Sequence, residues 1–319
     1  MDFGITIPNY GPLARRDAIT AIARQSEALG FGFMAIADHI VIPKTWNSFY
    51  PYSPTGRVDT FDGGDCLEPL ALMAALALAT ERAQLLTAVL VVPYRPPILT
   101  AKQLATIDVL SEGRVTVGCG TGWMREEFEA IGAPPYEARG RVTDEYIEAF
   151  RAMWTSDEPT YEGEHARVAD IYFRPQPVRK PHPPIWIGGD SMPALRRTAR
   201  LGDGWLPVGI APKRPLNTVA SYRDAAQTLA VLARDAGRDP AEIALNYWAI
   251  WYDESRRVTL DDGSRHIFTG EPEEIATDID ALAGVGVSAV LFSFVRSTLD
   301  ETLASTERFA RYVMPLVGA

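Results

Sequence analysis

Strand-like and helix-like patterns of hydrophobic residues alternate along nearly the whole chain. Short β-branched or apolar runs predict strands, and apolar residues spaced three or four apart predict the helices between them. The first pair shows the pattern. Residues 2–8 form a β-branched run, and residues 14–29 place Ile19, Ile22 and Ala23 on one helical face before Gly30. Glycine commonly follows the end of a helix because it adopts the left-handed conformation without strain.

Seven further pairs follow the first. Strands are predicted at 31–37, 83–92, 114–118, 185–187, 204–208, 243–252 and 289–294, and helices at 67–80, 98–110, 138–154, 193–201, 216–236, 271–283 and 299–313. Eight β-then-α units predict an α/β fold of the closed (β/α)8 type, a TIM barrel, as one domain over 1–319. Residues from about 155 to 184, rich in proline and charge, break the alternation and are interpreted as an insertion.

An open, doubly wound sheet is the competing arrangement. Its usual G-x-G-x-x-G fingerprint after the first strand is absent, because Asn9-Tyr10-Gly11-Pro12 stands there instead. The barrel is therefore the favoured architecture.

Composition and charge argue against several classes of binding partner and of site. The chain has 319 residues and a net charge of −10, whereas a nucleic-acid-binding protein needs a basic surface. No apolar run reaches the roughly 20 residues that span a bilayer, and the start of the chain does not read as a secretory signal. The two cysteines, Cys66 and Cys119, form no CxxC pair, so neither a disulfide framework nor a zinc site is expected. We therefore expect a cytoplasmic protein that binds neither nucleic acid nor membrane.

The C-terminal ends of barrel strands carry the catalytic groups of such folds. Among the four histidines, only His39 follows a predicted strand directly, next to Asp38. A metal-dependent hydrolase needs several histidine and carboxylate ligands there, so no metal site is expected. The chain also lacks a Gly-x-Ser-x-Gly elbow and a lysine within a predicted strand.

His39 is the best single candidate for proton transfer, because imidazole titrates near neutral pH. The alternative is a structural histidine held by Asp38 or by a backbone carbonyl. The residues alone leave both interpretations open.

Two glycine-rich turns are candidate ligand sites. Gly188-Gly189-Asp190-Ser191 lies between a strand and a helix, where free backbone N–H groups bind anions such as phosphate. It is equally well explained as an ordinary turn in which Ser191 caps the helix, and Asp190 would repel a phosphate. The segment 118–122 has few side chains and would pass under a planar ring, or it is simple barrel packing.

The chain resembles the superfamily of bacterial luciferase-like flavin monooxygenases and deazaflavin-dependent oxidoreductases. The resemblance covers nearly the whole chain and depends on the order and spacing of its motifs. These are Phe3-Gly4-Ile5, Ala35-Ile36-Ala37-Asp38-His39, Thr87-Ala88-Val89-Leu90-Val91-Val92-Pro93, Leu110-Ser111-Glu112-Gly113-Arg114-Val115, Gly118-Cys119-Gly120-Thr121-Gly122-Trp123, Glu126-Glu127-Phe128, Pro184-Ile185-Trp186-Ile187-Gly188-Gly189, Arg196 and Leu201-Gly202-Asp203-Gly204-Trp205.

The resemblance implies a flavin-like ring at the barrel mouth and a non-prolyl cis peptide in the third strand, at Ala88–Val89. It further implies that the phosphate of the cofactor lies beside the turn at 188–191. The cofactor-binding residues expected on this basis are Asp38, Ala88, Val89, Gly120, Thr121, Gly188, Gly189, Asp190 and Ser191.

The motif Gly-Thr-Gly-Trp followed by Glu-Glu-Phe is most similar to the branch that uses coenzyme F420. This likeness implies that Asp38 hydrogen-bonds the cofactor, that His39 holds or moves a proton near C5 of the ring, and that the chemistry is hydride transfer. The alternatives are a monooxygenase that uses reduced FMN to activate oxygen and a non-catalytic flavin-binding barrel.

The substrate is expected to be a small apolar or aromatic molecule. Sugar-phosphate dehydrogenases of the family carry a catalytic glutamate where Trp123 stands, which argues against glucose 6-phosphate. The residues expected to line the substrate pocket are Trp46, Tyr50, Trp123, Trp205 and Trp248, although core packing would explain them as well.

The tail of F420 is polyanionic, so cations near the mouth would help to bind it. Arg95, Arg196 and Lys44 are the candidates. A homodimer is expected because dimers are usual in the family that the chain resembles.

Overall fold

The computed structural model describes residues 1–53, 55–58, 61, 63–211 and 214–318. Its strands are β1 (Asp2–Thr6), β2 (Phe33–Ile36), β3 (Gln84–Thr87), β4 (Leu90–Val91), β5 (Val115–Gly120), β6 (Tyr161–Glu162), β7 (Arg167–Val168), β8 (Ile185–Gly188), β9 (Gly204–Leu206), β10 (Ala244–Ala249) and β11 (Val287–Phe292). Its helices are α1 (Arg16–Ala28), α2 (Pro69–Ala79), α3 (Pro97–Leu110), α4 (Arg125–Ala130), α5 (Arg139–Thr155), α6 (Met192–Leu201), α7 (Val219–Asp235), α8 (Pro272–Val285) and α9 (Leu299–Tyr312).

The main sheet closes on itself. The strand order is β3-β2-β1-β11-β10-β9-β8-β5-β4, and β3 also pairs with β5. All these pairings are parallel. Because β3 and β4 occupy one position in the barrel, the sheet has eight positions, and the predicted (β/α)8 fold is confirmed.

The third barrel position is interrupted. The predicted strand at 83–92 is divided into β3 and β4, and the peptide bond between Ala88 and Val89 is cis. This is the bond at which the resemblance implied a cis peptide. Beyond the break, β4 pairs with β5 at Leu90 and Val91, so the chain rejoins the sheet after the irregularity.

Two apolar layers hold the barrel together. Alternate residues of the strands form a separate interior cluster that includes Phe33, Leu86, Trp186, Leu206 and Leu291. The opposite faces of the strands join the helices in a larger cluster around the barrel. This division follows from the period-two alternation of side chains along a strand.

The structure also contains short elements outside the eight predicted β-then-α units. The six-residue helix α4 follows β5, and a short antiparallel hairpin of β6 and β7 lies within the segment after α5. That segment also contains two cis X-Pro bonds, at Pro175 and Pro181. Such short elements escape periodicity analysis because they contain less than two full repeats. Among the described residues, none of the helices is both long enough and apolar enough to cross a membrane.

Gly118 of β5 is required by a close approach to β3. A Cβ atom at this position would lie 2.0 Å from the backbone oxygen of Thr87, while the Gly118 carbonyl accepts a hydrogen bond of 2.9 Å from the Thr87 hydroxyl. We therefore expect Gly118→Ala to lower the free energy of unfolding by about 2–3 kcal/mol, measured by urea denaturation.

Gly284 in α8 provides the matched control. A Cβ atom there meets nothing within 4 Å, so Gly284→Ala should be neutral or stabilise the protein by up to about 1 kcal/mol, as expected for alanine replacing glycine in a helix. Equal stabilities for the Gly118→Ala variant and the unmodified protein would contradict this account of β3 and β5.

Candidate functional site

A cavity of about 750 Å³ opens at the C-terminal ends of the barrel strands. Its wall includes residues that directly follow β2, β5 and β8, together with Val208 after β9 and Ile250 after β10. A space of this size accommodates a ring cofactor or a drug-sized ligand. The site therefore lies where catalytic groups of this fold are found.

Val89, beside the cis peptide, forms part of the cavity wall between two glycines. A Cβ atom on Gly120 would lie 2.4 Å from Val89 Cγ2, and one on Gly188 would lie 2.6 Å from Val89 Cγ1. Both positions therefore require glycine as long as Val89 keeps its place. The structure brings all of the predicted cofactor residues except Asp190 together in this wall, and these are Asp38, Ala88, Val89, Gly120, Thr121, Gly188, Gly189 and Ser191.

His39 lines the cavity and is held from behind by a carboxylate. Its Nδ1 lies 2.6 Å from Oε2 of Glu127, which has no exposed surface. The other ring nitrogen has no hydrogen-bond partner within the described ranges. If Nδ1 carries the proton that bonds Glu127, then Nε2 is free to accept a proton from a ligand.

Glu127 is the centre of a larger hydrogen-bond network. The Tyr94 hydroxyl donates to the same Oε2 at 2.8 Å, while Oε1 accepts from the backbone N–H groups of Ile40 at 2.7 Å and Val41 at 3.2 Å. Burial, and then the nearby charge of Glu127, raise the pKa of Tyr94, so its hydroxyl keeps its proton and remains a donor. The network fixes the backbone that follows His39 as well as its ring.

Sequence reasoning did not identify Glu127 as the partner of His39. The expected structural partners were Asp38 or a carbonyl, and Glu127 was noted only within a family motif. The two residues are 88 positions apart, and α4, which carries Glu127, is too short to show a helical period. A fully buried glutamate is unusual in itself, but its burial is visible only in the fold.

Asp38 forms hydrogen bonds with groups of the protein itself. Its two carboxylate oxygens each accept a hydrogen bond of 2.8 Å from Arg95, and Oδ2 also accepts one of 2.8 Å from Val91 N–H. The Asp38 side chain has no exposed surface. Three of the acceptor positions of this carboxylate are therefore used within the protein, although Asp38 also lines the cavity. Its predicted hydrogen bond to a cofactor stays a prediction.

Arg95 is not a free cation at the mouth. It is buried and bonds Glu68 at 2.7 Å in addition to Asp38. Burial alone would lower the pKa of Arg95, but the hydrogen bonds and charge of Asp38 raise it overall. The other two predicted cations, Lys44 and Arg196, are exposed and are not part of the described cavity wall.

Asp190 lies behind the glycine turn and not on the cavity wall. It is 5% exposed, and its Oδ2 has no hydrogen-bond partner among the described residues. Burial raises the pKa of Asp190 to about 6, and the charge of Arg214 offsets part of this effect. Ser191 caps α6 by accepting a hydrogen bond of 3.3 Å from Ala194 N–H, so the ordinary-turn interpretation holds for that residue even though it also lines the cavity.

The predicted aromatic residues divide into two groups. Tyr50, Trp123 and Trp248 line the cavity. Trp205 does not, because it is fully buried and donates its indole N–H to the Gly189 carbonyl at 2.8 Å. Trp46 lies behind Trp123, with ring centroids 5.6 Å apart in an edge-on contact. Further aromatic lining residues, outside the set predicted for the substrate pocket, are Tyr10, Phe49, Tyr52, Phe61 and Tyr136.

Helix α4 connects the aromatic loop to the histidine site. Glu126 accepts hydrogen bonds from Asn47 N–H at 2.7 Å and from the Ser48 hydroxyl at 2.6 Å, whereas the adjacent Glu127 holds His39. In addition, Trp123 contacts Tyr50 edge-on with ring centroids 5.0 Å apart. One short helix therefore positions both the loop at the mouth and the imidazole on the wall.

Comparison with known proteins agrees with this architecture. Residues 1–252 match the family model described as luciferase-like monooxygenase. The chain belongs to this family.

Members of the luciferase-like family are oxidoreductases and monooxygenases. An FMNH2-dependent dimethylsulfone monooxygenase of Pseudomonas putida is 30% identical over an alignment that covers 78% of each chain. An uncharacterized protein of Mycobacterium tuberculosis is 38% identical, and the alignment covers 60% of this chain and 65% of that relative.

Two solved structures share the luciferase-like fold over nearly their whole length. Monooxygenase RslO1 from Streptomyces bottropensis has a TM-score of 0.70 at 23% identity, with 99% of both chains covered. An F420-dependent secondary alcohol dehydrogenase in complex with an F420–acetone adduct has a TM-score of 0.74 at 19% identity, with 100% of both chains covered. At these identities the likeness concerns the fold.

The buried carboxyl of Asp190 predicts a pH-dependent stability. Its pKa is raised from 3.8 to about 6, so the folded state favours the protonated form. Asp190 therefore destabilises the fold progressively as pH rises from about 4 through about 6. Replacing it with the neutral Asp190→Asn side chain should increase the free energy of unfolding at pH 8 by at most about 3 kcal/mol, and by much less near pH 4.

Urea denaturation at a series of pH values measures this difference. The exposed Asp261 provides the control, since Asp261→Asn should show no comparable dependence on pH. A stability difference for Asp190→Asn that is the same at pH 4 and pH 8 would show that the Asp190 carboxyl is not desolvated.

Proposed function

We propose that this chain is an oxidoreductase that uses coenzyme F420, reduced or oxidised, for hydride transfer to or from a small apolar or aromatic substrate. The observation that carries the proposal is the hydrogen bond between His39 and the buried Glu127. His39 lines the same cavity as Val89 of the cis peptide. A fixed imidazole supplies the proton transfer that accompanies hydride transfer to or from a polar group.

The cavity has features that fit a planar ring with an anionic tail. Gly120 and Gly188 place no Cβ atoms beside Val89. The cavity wall therefore carries no side chains at these two positions, where a planar ring would pass. Gly189 and Ser191 line the cavity at the start of α6, where a phosphate is favoured by the helix N-terminus. The residues that would hold the cofactor are Ala88, Val89, Gly120, Thr121, Gly188, Gly189 and Ser191. When bound, F420 would supply a hydride acceptor or donor at C5 of its deazaflavin ring.

His39 is the proposed acid–base group. Glu127 holds Nδ1, and Nε2 takes the proton that the substrate loses when its hydride leaves; in the reverse direction Nε2 returns it. The negative charge of Glu127 stabilises the imidazolium that forms in between. Glu127 is thus a positioning residue, and Tyr94, as a second donor to the same oxygen, fixes the orientation of its carboxylate.

The mouth of the cavity favours an apolar or aromatic substrate. Tyr50, Phe61, Trp123 and Trp248 line it, and the imidazole of His39 makes edge-on contact with Phe61 at 4.7 Å between ring centroids. Aromatic rings of this kind bind apolar molecules. His39 is then the polar group that orients the substrate by a hydrogen bond.

A reduced-FMN monooxygenase is the second candidate. The specific observation in its favour is the 30% identity to the FMNH2-dependent dimethylsulfone monooxygenase of Pseudomonas putida. Titration of the purified protein with F420 and, separately, with FMN decides between the two, because Trp123 and Trp248 line the cavity and their fluorescence should be quenched by a bound ring. We expect F420 to bind at least about tenfold more tightly than FMN. The reverse preference would overturn the first choice.

Substitution of His39 tests the catalytic role. We expect His39→Asn to lower kcat by about 100-fold or more, the usual contribution of a general acid or base, while the Kd of the cofactor changes by no more than about threefold. The assay is F420 reduction or oxidation with a panel of aromatic alcohols and ketones. His165→Asn is the control because His165 does not line the cavity. Unchanged turnover in His39→Asn would show that His39 is not the acid–base group, whereas an unmodified protein that binds the cofactor without any turnover would support the non-catalytic binding barrel.

Substitution of Glu127 tests the positioning role separately. Glu127→Gln keeps an acceptor for His39 but removes the charge that stabilises the imidazolium. We therefore expect kcat to fall at least about tenfold and the acid limb of the pH–rate profile to move to lower pH. A loss of activity with an unmoved profile would indicate that Glu127 supports only the fold.

A further inference from the structure

Tyrosine hydroxyls line the cavity, and most of them are not used within the protein. The Tyr136 hydroxyl donates a hydrogen bond of 3.0 Å to the Trp123 carbonyl. The hydroxyls of Tyr10, Tyr50 and Tyr52, which also line the cavity, form no hydrogen bond to any residue that the structure describes. We call these three residues the phenol row. A tyrosine removed from bulk water usually pairs its hydroxyl, so the row offers its hydroxyls to whatever fills the cavity.

Tyrosines in the body of the barrel differ in this respect. The Tyr222 hydroxyl donates to the Asn246 carbonyl at 3.0 Å, and the Tyr247 hydroxyl donates to the Leu216 carbonyl at 2.8 Å. Both side chains are fully buried, and each has an acceptor of the protein beside it because an unpaired buried hydroxyl is costly. Within residues 1–53, 55–58, 61, 63–211 and 214–318, the phenol row has no such acceptor, and its hydroxyls are left to water or to a ligand.

The phenol row extends from the histidine to the glycine turn. Tyr10 follows β1 and contacts Phe61 edge-on with ring centroids 5.5 Å apart, and Phe61 in turn contacts His39 at 4.7 Å. At the other end of the row, the Tyr52 hydroxyl lies 3.9 Å from the position that a Cβ atom on Gly189 would occupy. The hydroxyls are therefore distributed along the cavity and are not gathered at one point.

Tyr50 completes the row. Its ring contacts that of Tyr52 edge-on with centroids 5.6 Å apart, and its backbone N–H donates to the Gly56 carbonyl at 3.0 Å, which closes the turn that carries both tyrosines. Burial raises the pKa of Tyr10, Tyr50 and Tyr52, so all three keep their protons near neutral pH. Each hydroxyl is therefore able to donate a hydrogen bond to an acceptor on a ligand.

We propose that the phenol row binds acceptor oxygens of the substrate, so that the substrate is an oxygenated aromatic molecule and not a hydrocarbon. These oxygens, of the carbonyl or ether kind, are separate from the group that reacts at His39. The inference rests on the proposed function in that the ligand is the substrate of that site. An apolar ligand would displace water from the hydroxyls without replacing its hydrogen bonds, and a site of this kind therefore rejects analogues that lack the oxygen.

The position of the row distinguishes it from the residues proposed to hold the ring cofactor. Gly120 and Gly188 end β5 and β8 beside Val89, whereas Tyr50 and Tyr52 lie in the segment between β2 and α2. The row therefore belongs to a loop segment at the mouth, where a substrate would lie over the ring. The cofactor is the competing occupant, and its affinity is measured in the same experiment.

Three bicyclic probes of nearly the same shape test the proposal. Chroman-4-one carries a carbonyl and an ether oxygen, 1-tetralone carries the carbonyl alone, and tetralin carries neither. Their Kd values are measured by isothermal titration calorimetry, with the ring that the protein binds and also without a ring. We expect 1-tetralone to bind at least about fivefold more tightly than tetralin, and chroman-4-one at least as tightly as 1-tetralone. The same order should hold in His39→Asn, in which the imidazole no longer competes for the carbonyl.

Replacing the tyrosines by phenylalanine removes the hydroxyls and keeps the rings. We expect the combined Tyr10→Phe, Tyr50→Phe and Tyr52→Phe variant to prefer 1-tetralone over tetralin by no more than about twofold, with single variants between the two limits. Tyr136→Phe is the matched control, because that hydroxyl already donates to the Trp123 carbonyl, and it should keep the full preference. A preference that survives the combined substitution, equal weakening of both probes, or no preference in the unmodified protein would each overturn the proposal.

The Kd of F420 and of FMN in the combined variant separates the two possible occupants. We expect each to change by no more than about twofold. A loss of ring affinity that exceeds the loss of 1-tetralone affinity would assign the phenol row to the cofactor and overturn its role toward the substrate. If neither ring binds but the preference for 1-tetralone is present and is lost in the combined variant, the proposed function fails while the phenol row stands.

Discussion

The buried carboxylate of Glu127 is the group on which the arrangement of the site depends. It accepts hydrogen bonds from the Tyr94 hydroxyl and from two backbone N–H groups, and it holds Nδ1 of His39. A carboxylate removed from water is tolerated only where donors replace its hydration. Because these donors come from two segments far apart in sequence, satisfying one charge fixes the loop after β2, the turn after β4 and helix α4 relative to one another.

A second buried ion pair, between Asp38 and Arg95, also fixes the end of β2 relative to the segment after β4. Asp38, adjacent to His39, is bound by Arg95 and by the backbone of Val91. Neighbouring residues of one strand end therefore face two separate ionic networks, both of which reach the segment after the cis peptide. These two networks together hold the His39 imidazole in one position on the cavity wall.

The cavity itself is shaped by the absence of side chains. Gly120 and Gly188 each leave room for Val89, and Gly118 allows β5 to approach β3. Aromatic residues, among them Phe61 and Trp123 beside His39, line the mouth of the site. A mostly apolar pocket with a few fixed polar groups is typical of small-molecule sites, and the family to which the chain belongs contains oxidoreductases.

The sequence by itself determined the fold, the position of the site and its one histidine. Eight alternating units specify a closed barrel, because each strand must bury both faces against its helix and the barrel interior, and strand ends then define where His39 and the glycine turns lie. Only the tertiary structure decided the roles of the charged residues. Asp38 and Glu127 look alike as charged residues in a sequence, but in the fold Asp38 binds Arg95 whereas Glu127 holds His39. Whether such a side chain is neutralised within the protein or left for a ligand depends on partners contributed by distant segments, and those pairings exist only once the barrel has closed.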